Sequence, residues 1–273
     1  MSAIDLSLLD LGLAALLLVV NGAISLAFGL RLETSLAVAA VRMVVQLAAV
    51  GLVLKFVFAQ SSPLWTLAIA VVMVMVAVAG WEVSQRQERR FAGRWWSYGL
   101  GNATLLLAGG LATLYAVVLV IGPEPWYAPR YVLPILGMVL GSTLTSVSLA
   151  LQTLTEGAER ERAAIEARLA LGATRLEAFS DVLRRAMRMA VTPLVNQMSV
   201  AGIVTLPGMM TGQIVAGADP AEAAKYQIMI MLVLTGAAGL GALAAALGGA
   251  LMLSDGRHRL RLDRLAFDRQ GSR

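Results

Sequence analysis

The chain has 273 residues, of which 58% are hydrophobic and 14% charged, and its mean hydropathy is +0.75. Soluble domains carry about 25% charged residues, so this composition excludes an ordinary cytosolic enzyme. The formal net charge is +5, but no basic stretch carries the interleaved aromatic residues on which nucleic-acid bases stack. We therefore predict an integral membrane protein, surrounded by membrane lipid, that does not bind nucleic acid.

Apolar runs that could cross a bilayer follow one another along the chain. A hydrocarbon core about 30 Å thick requires about 20 apolar helical residues, and seven runs meet or approach that length. They cover approximately residues 6–30, 36–59, 64–81, 98–121, 131–154, 190–216 and 226–253. The sequence thus predicts an all-α integral membrane protein with about seven transmembrane helices, in a single domain over residues 1–273.

Basic residues are distributed unevenly between the connections that join these runs. Of the 22 lysine and arginine residues, 18 lie in the connections after the first, third and fifth runs or in the C-terminal segment. Positive charge accumulates on the cytoplasmic side of membrane proteins. Seven crossings then place the N-terminus outside and the C-terminus, with a basic tail over residues 254–273, in the cytoplasm. The expected location is the plasma membrane, which in a bacterium is the inner membrane.

The second run contains two polar residues at membrane depth. Arg42 lies about eight residues inside the run, roughly 12 Å from its charged end, and Gln46 lies one helical turn further. Because a charge at this depth is costly, such residues usually face protein or water. Two interpretations stay open: Arg42 fixes helix packing, or Arg42 and Gln46 line a translocation path. The interiors of the runs contain no Asp or Glu, which disfavours a proton-driven or sodium-driven carrier.

The long connection after the fifth run, residues 155–190, is too polar to cross a membrane. Its apolar residues recur at steps of three, four or seven and predict one stripe along a helix: Ile165, Leu169, Leu176, Phe179, Leu183 and Ala186. Gly172 interrupts the stripe, and Thr174 with Glu177 then forms a capping-box pattern, so we predict a helix, a tight turn and a helix. An interfacial helix on lipid headgroups is one interpretation. Six acidic residues beside seven arginines favour the other, a helix pair held in the groove of a partner protein.

The sixth run contains a helix-breaking pattern at Leu206–Gly212. Pro207, Gly208 and Gly212 should interrupt the helix there, and broken backbone at membrane depth is tolerated where it is buried in protein or lines a cavity. Together with Thr211 the segment is a candidate path or gate. The alternative is a close helix contact, because Gly208 and Gly212 have the spacing of a packing motif.

Ligands for a metal ion are few in this sequence. The chain has no cysteine and one histidine, so a metal cage of His and Cys residues is excluded. Met209 and Met210 could contact a soft metal, although methionine in a membrane helix more often fills gaps. Asn196 and Gln197 could contact a substrate weakly. We predict no bound cofactor and no certain metal site.

Four stretches carry a resemblance to a known family. Glu166-Ala167-Arg168-Leu169-Ala170-Leu171-Gly172 resembles the E-A-A-x-x-x-G core of the coupling loop in ABC-importer permeases, with Arg168 in place of the second alanine. The other three are Val41-Arg42 with Gln46-Leu47 and Gly51, Leu206–Gly212, and Ala216–Pro220 running into Lys225–Met229. Together they resemble the FetB-type permease family, which is similar to plant aluminium-tolerance membrane proteins.

The resemblance implies a permease subunit of an ABC transporter that exports iron, another metal ion or a small solute. A phosphate-binding G-x-x-x-x-G-K-[ST] loop is missing from the sequence, so ATP with Mg²⁺ would be bound and hydrolysed by a separate cytosolic ATPase subunit rather than by this chain. A second copy of the chain is expected. The residues implied in docking the ATPase are Glu166, Ala167, Arg168, Leu169, Gly172, Thr174 and Glu177. The alternatives are an ATP-independent secondary carrier or channel, and a seven-helix scaffold or sensor.

Overall fold

The structure is a computed structural model that describes residues 7–59, 65–85, 89–91, 94–257 and 259–267. Most of these residues are helical. The helices are α1 (Leu8–Ala27), α2 (Glu33–Ala59), α3 (Trp65–Gln85), α4 (Arg94–Thr104), α5 (Leu111–Tyr115), α6 (Pro129–Arg160), α7 (Arg162–Ala170), α8 (Arg175–Ala178), α9 (Ser180–Val200), α10 (Gly208–Val215) and α11 (Pro220–Met252). Two π-helical segments, Leu105–Gly110 and Ala116–Ile121, flank α5 and make α4, α5 and the segments one continuous span.

The helices α1 and α2 form a hairpin with polar caps at both ends of α1. The Ser7 N–H donates to Asp10 Oδ2 at 2.8 Å and the Asp10 N–H donates to Ser7 Oγ at 3.3 Å, which closes a capping box. At the other end, Ser25 Oγ donates to Glu33 Oε2 at 2.8 Å and accepts from the Leu32 N–H at 2.9 Å. Beyond this hairpin α2 packs mainly on α6, and none of its most apolar stretch is buried.

The long helix α6 is the centre of the bundle. It packs against α3, α9, α11 and the π-helical segment Leu105–Gly110. Its side chains Val139, Val147, Leu151 and Leu154 are fully buried. The close approach of α11 to α6 depends on Gly241, because a Cβ at this position would lie only 2.6 Å from the Thr143 methyl carbon.

Five helical spans in the described residues are long and apolar enough to cross a membrane. They are Leu9–Ala27, Glu33–Lys55, Gly99–Ile121, Pro129–Arg160 and Pro220–Met252, and each coincides with one of the predicted runs. The predicted run 64–81 corresponds to α3, of which Val71–Gln85 is a shorter apolar helix. The predicted run 190–216 is divided between α9 and α10. The protein is therefore a multi-pass, mainly helical membrane protein.

The segment after α11 folds back instead of extending away as a simple basic tail. The Arg261 N–H donates to Leu253 O at 2.8 Å, and Arg264 Nη1 donates to Met252 O at 2.7 Å. Strand β2 (Leu265–Phe267) then pairs antiparallel with β1 (Arg89–Phe91) of the connection between α3 and α4. The predicted tail is described as far as residue 267, apart from residue 258. This returning segment joins the end of α11 to the connection between α3 and α4.

Candidate coupling and translocation site

The predicted turn at Gly172 ends α7 in a Schellman cap. The Ala173 N–H donates to Arg168 O at 3.0 Å, and the Gly172 N–H donates to Leu169 O at 3.1 Å. The φ of Gly172 is +91°, a left-handed conformation that strains any residue with a Cβ. The predicted helix, turn and helix are thereby confirmed.

The capping box that follows the turn is also confirmed. The Glu177 N–H donates to Thr174 Oγ1 at 3.4 Å, while the Thr174 N–H donates to Glu177 Oε2 at 2.8 Å. Thr174 Oγ1 donates to the same carboxylate oxygen at 2.7 Å. These hydrogen bonds hold the pKa of the Glu177 carboxyl below its ordinary value. The turn between α7 and α8 is thus fixed by its own side chains.

Most of the predicted apolar stripe faces the core, with one exception. Ile165, Leu169, Phe179 and Ala186 are buried, and Leu183 packs against the same cluster. The prediction for Leu176 is wrong, since its side chain is 42% exposed. A helical spacing counted through the turn loses its phase there, because residues 171–174 are not helical. Leu171 in this turn is 88% exposed, so the tip of the segment carries two exposed leucines.

Ion pairs tie residues 161–178 to α9. We name these residues the coupling segment, after their predicted role. Arg168 pairs with Asp181, and its hydrogen bond holds the pKa of the Asp181 carboxyl below the ordinary value. Arg185 Nη2 lies 2.6 Å from Glu161 Oε1. Arg168, predicted to dock a partner, is therefore engaged within the chain. Of the other residues predicted to dock the ATPase, those with exposed side chains or backbone are Glu166, Ala167, Gly172, Thr174 and Glu177.

Arg42 lies in an ion pair that the sequence analysis did not anticipate. Its Nη2 donates to Glu82 Oε2 at 2.7 Å. Glu82 lies one residue beyond the predicted run 64–81, because α3 continues to Gln85. Spacing offers no signal for this contact, since the two residues are 40 positions apart. Gln46, one turn beyond Arg42, is exposed on α2.

The predicted interruption of the sixth run lies just before Pro207. Helix α9 ends at Val200, and the Gly202 N–H donates to Thr205 O at 2.8 Å in the loop that follows. Pro207 then occupies the N-cap position of α10, and Thr211 Oγ1 donates to its carbonyl oxygen at 3.1 Å. Leu206, Gly208 and Gly212 are all exposed in the single chain. The helix is broken as predicted, and the break faces outward.

The weak substrate candidates divide into exposed and packed residues. Asn196 and Gln197 are exposed on the second half of α9. Met209 packs against a buried cluster that includes Ile230 of α11, and Met210 is partly buried. Among the described residues there is no group of three or more His, Asp or Glu side chains that could hold a metal ion.

Within one chain the two parts of the predicted path lie apart. Helix α2, which carries Arg42 and Gln46, makes its extensive contacts with α1 and α6. Helix α10, which begins at Gly208, packs on α11. Across the described residues, α2 makes no extensive contact with α9 or α10. The residues predicted to dock the ATPase thus lie in one segment, whereas those predicted to line a path lie apart.

Comparison with known proteins identifies the family. A family model described as "Uncharacterised protein family (UPF0014)" matches residues 8–252. The chain belongs to the UPF0014 family. Among its relatives, UPF0014 membrane protein slr1647 of Synechocystis is 40% identical over 76% of this chain and 78% of its own length. The resemblance drawn from the four sequence stretches is confirmed.

Two other relatives of the chain have names that refer to metals. The probable iron export permease protein FetB of Escherichia coli is 31% identical over 92% of this chain and 93% of its own length. Protein ALUMINUM SENSITIVE 3 of Arabidopsis thaliana is 34% identical over 82% of this chain and 80% of its own. No solved structure matches the chain.

Proposed function

We propose that the chain is the permease subunit of an ABC exporter, driven by a separate cytosolic ATPase that binds ATP and Mg²⁺. Seven crossings, with the N-terminus outside and the C-terminus in the cytoplasm, would present residues 155–190 to that ATPase. The observation that carries the proposal is the segment α7–α8. Its tip at the Gly172 turn is exposed, whereas its base, formed by Ile165, Leu169 and Phe179, is buried. The name of FetB, a probable iron export permease, supports the transport class.

The tip of the segment has the chemistry of a protein contact. Leu171 and Leu176 are exposed, and Glu166 and Glu177 lie beside them on α7 and α8. A short apolar projection between charged side chains fits a groove on another protein. The acidic residues would be repelled by an anionic membrane surface, which disfavours the interpretation as an interfacial helix.

The base of the segment can transmit a displacement into the bundle. Phe179, at the junction of α8 and α9, is fully buried. Val182 of α9 packs so closely on α6 that a Cβ added to Gly157 would lie 2.7 Å from a valine methyl carbon. Helix α9 then continues without interruption to Val200, roughly 30 Å away at 1.5 Å per residue. A movement of the tip therefore reaches the broken segment before Pro207.

The far half of α9 supports the presence of a second copy. Asn196, Gln197 and Ser199 are exposed in the single chain, and polar side chains at membrane depth face protein or water rather than lipid. Pairing two copies at this face would enclose them together with Leu206–Gly212 in a polar path. Arg42 and Gln46, on α2, would support the helices around that path or line its far side.

The proposed cargo is a metal ion or a small solute, moved outward. The names of FetB and ALUMINUM SENSITIVE 3 support a cargo related to metals. Asn196 and Gln197 would contact it transiently, and exposed amides fit a path that must release its cargo. Met209 is packed in a cluster and is a weaker candidate than the amides.

An ATP-independent carrier or channel is the second candidate. It is favoured by Glu82, a carboxylate within α3, since carriers driven by ions place acidic residues within their spans. The ion pair weighs against this role, because the Arg42 guanidinium already occupies the carboxylate. Transport by the purified chain alone under an ion gradient would favour this candidate.

Reconstitution in liposomes tests the proposal. The chain would be purified together with a candidate ABC ATPase subunit, and ATP hydrolysis and loss of a loaded iron salt would be measured. Leu171→Asp should abolish the stimulation of hydrolysis, while Ala164→Asp, the same new charge on exposed α7, should preserve it. Cargo movement without ATPase would overturn the proposal, and unchanged stimulation in Leu171→Asp would remove the docking assignment.

A further inference from the structure

An apolar groove runs along the membrane-exposed side of the bundle, between α5 with its flanking π-helical segments and α11. We name it the α5–α11 groove. Its volume is about 620 Å³, and its walls are Leu107 and Leu111 on one side and Leu232 and Leu240 on the other. These four side chains are exposed, whereas Ala237 in the floor is buried. The groove is therefore open toward the lipid and closed toward the core.

A second cavity continues the groove toward one surface of the membrane. It has a volume of about 360 Å³ and shares Tyr115, Leu232 and Val233 with the first. At its end lies Lys225, near the start of α11. Lys225 and Ala244, at the two ends, are separated by roughly 28 Å of helix, which is close to the ~30 Å thickness of the hydrocarbon core.

The groove fits a lipid chain, because its walls are apolar and one end of it reaches Lys225. Acyl chains require only apolar walls. Among the described residues that line the groove, Thr104 has a buried hydroxyl, and this hydroxyl donates within its own helix to Leu100 O. The proposed second copy is placed instead at the exposed polar face of α9, where Asn196 and Gln197 lie. The apolar groove thus suits a lipid chain, whereas the polar face of α9 suits a second copy.

Lys225 supplies the polar contact at the mouth of the groove. Its side chain is 71% exposed and its Nζ lies 2.7 Å from Glu222 Oε1, one turn nearer the start of α11. An ammonium group has three donors, so two remain for a phosphate. Gly236 lies roughly 16 Å along the helix from Lys225, about the depth of one leaflet.

We propose that the α5–α11 groove binds one acyl chain of an anionic phospholipid whose phosphate is held by Lys225. The chain would extend along Tyr115 and Leu232 and end near Gly236. This binding site is separate from the proposed coupling to an ATPase and does not depend on it.

Gly236 provides a direct way to fill the groove. A Cβ added to Gly236 meets nothing within 4 Å, so Gly236→Leu places its side chain in open groove space without a clash. Gly239 on the same helix is equally open but does not line the groove, so Gly239→Leu is the matched control. A third variant, Lys225→Gln, removes the positive charge and leaves the groove unchanged.

Native mass spectrometry of the full-length chain, titrated with phosphatidylglycerol or phosphatidylcholine, measures the lipid retained. The wild type and Gly239→Leu should retain phosphatidylglycerol in preference to phosphatidylcholine. Gly236→Leu should weaken the binding of phosphatidylglycerol about tenfold, because contacts with its acyl chain are lost. Lys225→Gln should lower the preference for phosphatidylglycerol about fivefold. Equal retention by all four proteins would overturn the proposal. Loss of the dimer mass in Gly236→Leu, with lipid retention unchanged, would assign the groove to a second copy instead.

Discussion

Arg42 of α2 and Glu82 of α3 form an ion pair with 2.7 Å between Nη2 and Oε2. The pair joins two helices that otherwise share few contacts, because α2 makes its extensive contacts with α1 and α6. Since none of the most apolar stretch of α2 is buried, a polar contact has an unusually large share in holding this helix to the bundle. Within the single chain, Arg42 therefore links α2 to α3.

The ion pair between Arg42 and Glu82 should contribute an interaction energy to the stability of the protein. Glu82→Gln and Arg42→Gln each remove the charge-assisted hydrogen bond between Arg42 Nη2 and Glu82 Oε2, and we expect a loss of about 1.5–3 kcal/mol in each. The double variant should lose less than the sum of the two. Thermal unfolding in lipid nanodiscs, arranged as a double-mutant cycle, measures the coupling. Additive losses would show that the pair contributes no interaction energy.

Local patterns along the chain were predictable, whereas contacts between distant segments were not. The Gly172 turn and the Thr174–Glu177 capping box depend on residues within a few positions, so their chemistry can be recognised in the sequence. The break before Pro207 was predictable for the same reason. The pairing of Arg42 with Glu82 depends on how α2 meets α3, and no spacing encodes that. The exposure of Leu176 was missed because the turn changes the helical phase.

The C-terminal segment illustrates the same limit. Its composition indicated only a basic tail, yet it forms a strand with residues 89–91. Three-residue strands are too short for a periodic pattern to indicate them. The α5–α11 groove was missed for another reason, because apolar residues that line a groove and those that face bulk lipid have the same composition.

The N-cap of α8 should control the order of the coupling segment. Thr174→Ala removes the acceptor for the Glu177 N–H and should destabilise the local fold by about 1 kcal/mol. Hydrogen exchange of a peptide covering α7 and α8 should then be faster, while exchange in α11 is unchanged. Thr174→Ser keeps the hydroxyl and should restore the protection. Slow exchange in Thr174→Ala would mean that burial of Ile165 and Phe179 alone orders the segment.

The returning C-terminal segment should loosen in acid. Asp255 Oδ1 accepts from the Arg257 and Arg259 N–H groups at 3.0 Å, and the Arg259 N–H is the main cause that holds the pKa of this carboxyl below its ordinary value. A depressed pKa in the folded state contributes stability above the unfolded value, near pH 4, and that stability is lost as the pH falls through the folded value. We therefore expect a stable turn at neutral pH that opens below about pH 4.

A spin label can report this opening because the chain has no cysteine of its own. Arg257→Cys carries the label in the turn, and its mobility should rise as the pH falls below about 4. Asp255→Asn keeps an acceptor oxygen but cannot titrate, so the label in this background should show the same mobility at every pH. A rise that also occurs in Asp255→Asn would assign the transition to another group.

The contact between α6 and α9 at Gly157 should be sensitive to any increase in side-chain volume. A Cβ at this position would lie 2.7 Å from Val182 Cγ1 and 3.6 Å from Val182 Cγ2, so Gly157→Ala should destabilise the fold by about 1–3 kcal/mol through overpacking. Val182→Ala removes both methyl carbons and should relieve the clash, so the double variant should be more stable than Gly157→Ala alone. Gly141→Ala, on the same helix with nothing within 4 Å of the added carbon, is the control for glycine replacement. Apparent melting temperatures in one detergent give the comparison, and equal melting of Gly157→Ala and Gly141→Ala would mean that α9 can shift away from α6 without cost.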